Sequence, residues 1–281
     1  RLRGHLVWNR ETCTGCGLCA KDCPAEAIEV ITLDKKAKRF VFRYHVDRCT
    51  FCGLYRDRPF RIHSPASFRE HCHRVQDFYG EGLSLRRGIF LADANALIVP
   101  QARLRALLEI AQDNFGLPDG PRPIFSFVSA FDVERKSAAE WAELRKLGVQ
   151  RAYIGLETGD NALLKFLNKP GTVEDAIEAV RALRAGGIAA GVIVMAGIGG
   201  ERFAASHVRR SVEAIRAMDL GPGDLVYLSN YVPAPGTEYP QQAAAAGIRP
   251  LSPAEIDAQL AGLQAAVRAI ARDMKSPVAI H

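Results

Sequence analysis

The sequence predicts an α/β fold, a partial (β/α)6 TIM-like barrel with a short cysteine-rich segment ahead of it. Three observations carry that prediction. From Arg39 onward, short β-rich runs alternate with helical stretches, the pattern of stacked βα units around a parallel sheet. The helical stretches keep an apolar period near 3.6 residues. Upstream, all but one of the 7 cysteines crowd between Cys13 and Cys52.

Length and composition set the bounds. At 281 residues and 48% hydrophobic, the chain can bury a barrel-sized core. No apolar run is long enough to span a bilayer, and no charged n-region leads into an apolar h-region, so no membrane span and a cytoplasmic location are expected. The chain opens on Arg1 with no initiator Met, as a piece of something longer would. The net charge of +6 comes mainly from scattered Arg, which describes a solvated surface rather than a nucleic-acid footprint. CxxC spacings without a signal peptide argue against a disulfide framework and for metal or redox chemistry in a reducing compartment.

Residues 11–24 read ETCTGCGLCAKDCP. Cys13, Cys16, Cys19 and Cys23 stand at C-x2-C-x2-C-x3-C-P spacing, which lets three thiolates on a tight loop wrap three corners of a cubane. Gly15 and Gly17 let backbone amides approach its sulfides. The segment resembles bacterial 4Fe-4S ferredoxins, and residues 2–52 resemble the ferredoxin-like subunits of complex I and membrane hydrogenases. In two-cluster ferredoxins the fourth Cys of each motif ligates the other cluster. Here the second motif supplies only Cys49 and Cys52, with Tyr55 and Pro59 where the next two would fall. One cluster on Cys13 to Cys23, or two completed by Cys72 or a histidine, are both open to this spacing.

The chain divides into a ferredoxin-like iron-sulfur segment (1–38), the partial barrel (39–250) and a C-terminal helix (251–281). β-rich runs fall at 39–46, 87–94, 124–130, 151–156, 190–196 and 224–231. Helical patterns fall at 101–115, at 137–147 with Ser137 and Glu140 as a capping box, and at 172–185 ending on Gly186-Gly187. Two more fall at 203–218 and at 252–274, the last opened by Ser252 with Glu255. Six βα units make an open barrel whose chemistry sits beyond the C-terminal strand ends. There the sequence places Cys49 and Cys52, then Asp93 and Asn95, Ser129 and Asp132, Glu157 and Thr158, the GIGGE turn 197–201 and the PAPGT turn 233–237.

These segments together resemble the radical S-adenosylmethionine (SAM) superfamily, in the branch of oxygen-independent coproporphyrinogen oxidase and the tRNA methylthiotransferases, over about residues 49–250. RAYIGLETGDNALLKFLNKPGT is the most specific element; GIGGE and PAPGT resemble the family's GxPGE and PxPGT turns. The family's cluster motif is C-x3-C-x-aromatic-C. Cys49, Phe51 and Cys52 fill its last positions and His45 stands at the first. The resemblance implies a 4Fe-4S cluster with one open iron, SAM as cofactor, and an electron donor such as ferredoxin or flavodoxin.

It also implies roles. Cys49 and Cys52 are cluster ligands, Phe51 packs near the adenine, and Glu157 accepts from a ribose hydroxyl or the methionine amine. Gly197, Gly199 and Glu201 form the turn at the adenine, and Asp93 replaces the family's Gly-Gly-Glu element. His45 reads in two ways, as an imidazole ligand that raises the cluster potential, or as the mark of a splice between two families at C-T-F-C. For Cys49 and Cys52 a zinc knuckle is the alternative. Cys72, between His71 and His73 in a helix, reads as structural because adjacent helical side chains diverge.

The function implied is reductive cleavage of SAM to a 5'-deoxyadenosyl radical acting on a substrate, small molecule or tRNA, that the sequence does not name. The rival is a non-catalytic 4Fe-4S electron-transfer protein of polyferredoxin type.

Overall fold

The computed structural model describes residues 28–34, 39–44, 49–53, 63–92, 95–273 and 279–280. Strands β1 (Ile28–Asp34) and β2 (Arg39–Tyr44) pair antiparallel in a two-stranded sheet of their own. The sequence pattern places residues 39–46 in the barrel as its first strand; the strand forms, but its partner is β1. An alternating β-rich run specifies a strand and not a partner. IEVITLD lies just upstream, and closing a short hairpin costs less chain entropy than a long crossover.

Among the described residues the barrel sheet has 6 strands, all parallel and in sequence order. They are β3 (Ile89–Leu91), β4 (Ile124–Phe127), β5 (Val149–Glu157), β6 (Ala189–Ala196), β7 (Leu225–Asn230) and β8 (Ala279–Ile280). The last of these adds at the opposite edge of the sheet, beside β7, while the edge beside β3, where β2 was expected, takes no strand among the described residues. Five of the six expected runs therefore enter the sheet, with ends shifted by a few residues.

The helices are α1 (Pro65–Tyr79), α2 (Gln101–Phe115), α3 (Ala138–Lys146), α4 (Asn161–Phe166), α5 (Val173–Ala185), α6 (Gly200–Ala217), α7 (Tyr239–Ala245) and α8 (Pro253–Asp273). Their ends follow local chemistry. Ser137 with Glu140, and Thr172 with Asp175, form reciprocal capping boxes at α3 and α5, each satisfying two amides that a helix start leaves unpaired.

Period-two alternation in the strands builds the core. Ala152, Ile154 and Leu156 of β5 are fully buried among Trp141 and Leu144 of α3, Val180 and Leu183 of α5, and Val192 and Val194 of β6. Burying each such large apolar side chain contributes roughly 1.5–3 kcal/mol. Helix α8 joins this core through Leu263, Val267 and Ile270, packing against α6 and β7. The opposite face of the sheet carries an aromatic group, Phe90, Phe127 and Tyr153, with ring centroids 5.0–6.0 Å apart. Among the described residues no helix is long and apolar enough to cross a membrane.

Candidate iron-sulfur and cofactor site

Loop 49–53 is anchored from two sides through Thr50. Its amide and hydroxyl both donate to the Leu167 carbonyl, at 2.8 and 3.3 Å. Its own carbonyl accepts from the amides of Glu238 and Tyr239, at 2.9 and 3.0 Å. The loop is thus clamped between the end of α4 and the start of α7, immediately after the PAPGT turn. That turn closes on itself through Thr237, whose amide and hydroxyl donate to Ala234 O at 3.1 and 2.7 Å. Phe51 packs on a second apolar cluster containing Leu163, Leu167, Ile198 and Tyr239.

Within the loop the Cys52 amide donates to the Cys49 carbonyl at 2.9 Å, a tight turn. Both thiols are free and partly exposed. Burial pushes the Cys49 thiol up to about 11, against the pull of Lys169, while Glu157 and Cys52 push the same way as burial. Those couplings place Cys49 in electrostatic reach of the end of β5.

The end of β5 is unusual in its backbone. The β5–β6 register slips between Gly155 and Glu157, and Glu157 takes φ 61°, the left-handed region that non-glycine residues avoid. The turn that follows is pinned to α6. Gly159 N donates to Ser211 Oγ at 2.8 Å, Thr158 Oγ1 pairs with His207 Nδ1 at 2.8 Å, and Asp160 binds Arg210 at 3.1 Å. This scaffold fixes a buried carboxylate. Oε1 of Glu157 lies 3.6 Å from Nζ of Lys169, and Oε2 is buried with no hydrogen-bond partner among the described residues. Burial raises the Glu157 carboxyl, and Lys169 opposes it.

The other expected site residues fall in three groups. Cys13, Cys16, Cys19, Cys23, His45 and Asp93 lie outside the described residues. The amides of Gly197 and Gly199 donate to Gln259 Oε1 and Tyr239 Oη, at 2.7 and 2.8 Å. A side chain at Gly199 would meet Leu163 at 2.7 Å, and one at Gly197 would meet Ile256 at 3.0 Å, so both glycines permit close packing of α4 and α8 on the turn. Glu201 is exposed and pairs with Arg249 at 2.9 Å. Cys72 is buried in α1 while His71 and His73 point to solvent, so the three do not converge.

Among the described residues no three His, Cys, Asp or Glu side chains gather as a metal-binding group. Cys49 and Cys52 alone nevertheless suit a 4Fe-4S cluster in kind. A desolvated thiol that holds its proton trades it for a soft cation, because thiolate is the ligand and metal binding releases the proton. The orphaned oxygen of Glu157 suits a donor group on a ligand beside it, since a buried acceptor left unmatched costs about 1–3 kcal/mol. Sequence reasoning missed Lys169, which it quoted only within the KFLNKPGT run.

The family described as Radical SAM superfamily matches residues 46–205, and the 4Fe-4S binding domain matches residues 6–29. No curated protein matches the chain. Coproporphyrinogen III oxidase from Escherichia coli, described as a radical SAM enzyme, is similar in fold, with TM-score 0.52 and 13% identity over 80% of this chain and 50% of that one. HydG, a maturase of FeFe-hydrogenase, gives TM-score 0.54 at 14% identity over 82% of this chain and 48% of its own. Streptococcus suis SuiB, in a structure bound to S-adenosylmethionine, gives 0.54 at 13% over 83% and 46%. The chain spans about half the length of each of these structures. At such identities the likeness is one of fold.

Proposed function

This chain belongs to the radical SAM superfamily, and on that premise we propose that it is an iron-sulfur enzyme that cleaves S-adenosylmethionine reductively. The observation that supports this most is that the Cys49 thiol lies within electrostatic reach of Glu157 at the end of β5, the carboxylate having a buried oxygen with no partner among the described residues. Cys49 and Cys52 would hold a 4Fe-4S cluster there, and its chemistry would be one-electron reduction of the sulfonium, giving methionine and a 5'-deoxyadenosyl radical able to take hydrogen from an organic substrate.

The residues divide the work. Cys49 and Cys52 give thiolates, held at fixed separation by the turn that Thr50 anchors. The third protein ligand comes from outside the described residues, with His45 at the family's first position. Glu157 accepts a hydrogen bond from the amine or a ribose hydroxyl of the cofactor, and Asp93 takes a second polar contact at its methionine end. Phe51 offers an apolar edge to the adenine. Cys13, Cys16, Cys19 and Cys23 would hold a second cluster, whose chemistry would be to relay electrons from a ferredoxin or flavodoxin donor.

Anaerobic reconstitution with iron and sulfide, then dithionite and SAM, tests the reading. Formation of 5'-deoxyadenosine is expected. Reversible reduction with no 5'-deoxyadenosine and no SAM-dependent change in the EPR spectrum would sink it and leave an electron carrier of polyferredoxin type.

A further inference from the structure

Strand β5 ends, at the rim of the barrel, in a γ-turn. The Thr158 amide donates to the Leu156 carbonyl at 2.7 Å, and φ 61° at Glu157 between them makes the turn one of the rare, strained kind. A non-glycine residue keeps such a conformation only where its surroundings impose it. Here the constraint comes from α6, one face of which grips the three residues after the apex. Thr158 Oγ1 pairs with His207 Nδ1, Gly159 N donates to Ser211 Oγ, and Asp160 binds Arg210, partners spaced three and four positions along the helix. A Cβ at Gly159 would fall 2.2 Å from the Arg210 carbonyl oxygen, so turn and helix meet backbone to backbone.

Packing alone does not account for an imidazole in that grip. His207 is fully buried and its Nε2 has no partner among the described residues, whereas a leucine would fill similar space with no nitrogen left unmatched. What the ring adds is its contact with Thr158. The helix is also tied to the cysteine loop: the Tyr239 amide donates to Thr50 O at 3.0 Å, and the amide of Gly199, the N-cap of α6, donates to Tyr239 Oη at 2.8 Å. We propose that His207 is a positioning residue for Glu157: by holding Thr158 it locks the γ-turn, so that α6 sets where the carboxylate points relative to Cys49 and Cys52. His207 acts through the backbone of Glu157 and Thr158 and not on the cofactor directly. The inference rests on the proposed role of Glu157, but the locked turn exists with or without the cofactor.

The test uses the full chain, reconstituted anaerobically, as wild type, His207→Leu, His207→Asn, Glu157→Gln and the Leu/Gln double variant. Leucine keeps the bulk and loses the bond to Thr158; asparagine keeps the bond. The first readout is amide hydrogen exchange, followed by mass spectrometry. In His207→Leu, residues 157–160 should exchange about fivefold faster or more, as loss of one hydrogen bond implies, while residues 150–155 of β5 and α6 itself keep wild-type protection. His207→Asn should restore the wild-type rate. Unchanged exchange at the turn, or equal loosening of turn, strand and helix, overturns the proposal.

The second readout is SAM affinity. His207→Leu should weaken binding about fivefold or more, the worth of one hydrogen bond. His207→Asn should restore most of it, and His207→Leu should add little in the Glu157→Gln background. Wild-type affinity in His207→Leu overturns the proposal. So does an equal loss in both backgrounds, which would mean that His207 acts apart from Glu157. If wild type binds no SAM at all, the proposed function fails while the exchange comparison still decides whether His207 locks the turn.

Discussion

The amide and the hydroxyl of Thr50 both donate to one carbonyl, that of Leu167. One of the two residues between the cysteines is thereby tied to the end of α4, and the cluster loop inherits the rigidity of the barrel. Replacing Thr50 with Val keeps the shape and removes the hydroxyl bond. The variant should lose about 1 kcal/mol of stability and release iron to a chelator faster than wild type, followed by loss of visible absorption. An unchanged release rate would mean that the loop is held by its backbone bonds alone.

Iron accounting separates the two cysteine sets. If Cys13 to Cys23 and Cys49 with Cys52 serve different clusters, Cys16→Ala and Cys49→Ala should each remove about four irons per chain. Each loss should leave the other cluster's signal intact. His45→Cys supplies a third thiolate at the family's first position, and should raise iron retention and lower the reduction potential of the barrel cluster. Joint loss of both clusters in either alanine variant would show ligands shared between them, as in two-cluster ferredoxins.

His207 gives a pH signature. It is fully buried, its Nδ1 pairs with Thr158 and its Nε2 has no partner among the described residues. Burial lowers it from 6.5 to about 4, with Asp160 opposing. Between those values the unfolded chain binds a proton that the folded chain refuses. The stability associated with the neutral ring is therefore complete above pH 6.5 and drains away as pH falls toward 4, by about 3 kcal/mol. Urea denaturation of the metal-free protein across that range should show the loss. His207→Asn, which can still bond Thr158 but cannot titrate, should flatten it.

Much of this was legible in the sequence because it was local. Ser137 with Glu140 announces a capping box, and the alternation in RAYIGLE announces a strand with one buried face. Cys49, Cys52 and Glu157 were singled out through a family pattern, and the structure couples Cys49 to Glu157 at the end of β5. Pairing was not, because residues 39–44 carry nothing that chooses β1 over β3. The contact of Lys169 with Glu157 was not legible either, since it needs Asn168 in a left-handed conformation and space above Gly155, both products of the finished fold. Helix α7 was missed for a related reason: Tyr239–Ala245 is short, begins beside the PAPGT turn and shows little periodicity.

The space above Gly155 can be probed without touching a charge. A methyl there would come within 2.2 Å of Glu157 Oε1, and the next nearest atom is Cδ of the same side chain at 3.2 Å. What must move is thus the end of one flexible side chain and no backbone, so the fold should tolerate Gly155→Ala with its melting temperature nearly unchanged. The carboxylate should not tolerate it. Turned away from Lys169, it loses both its counter-ion and its aim, and SAM affinity should fall to the level of Glu157→Gln. Combining Gly155→Ala with Glu157→Gln should then add little. If Gly155→Ala binds SAM as wild type does, the carboxylate has another productive position, and the geometry described for the rim is not what the cofactor requires.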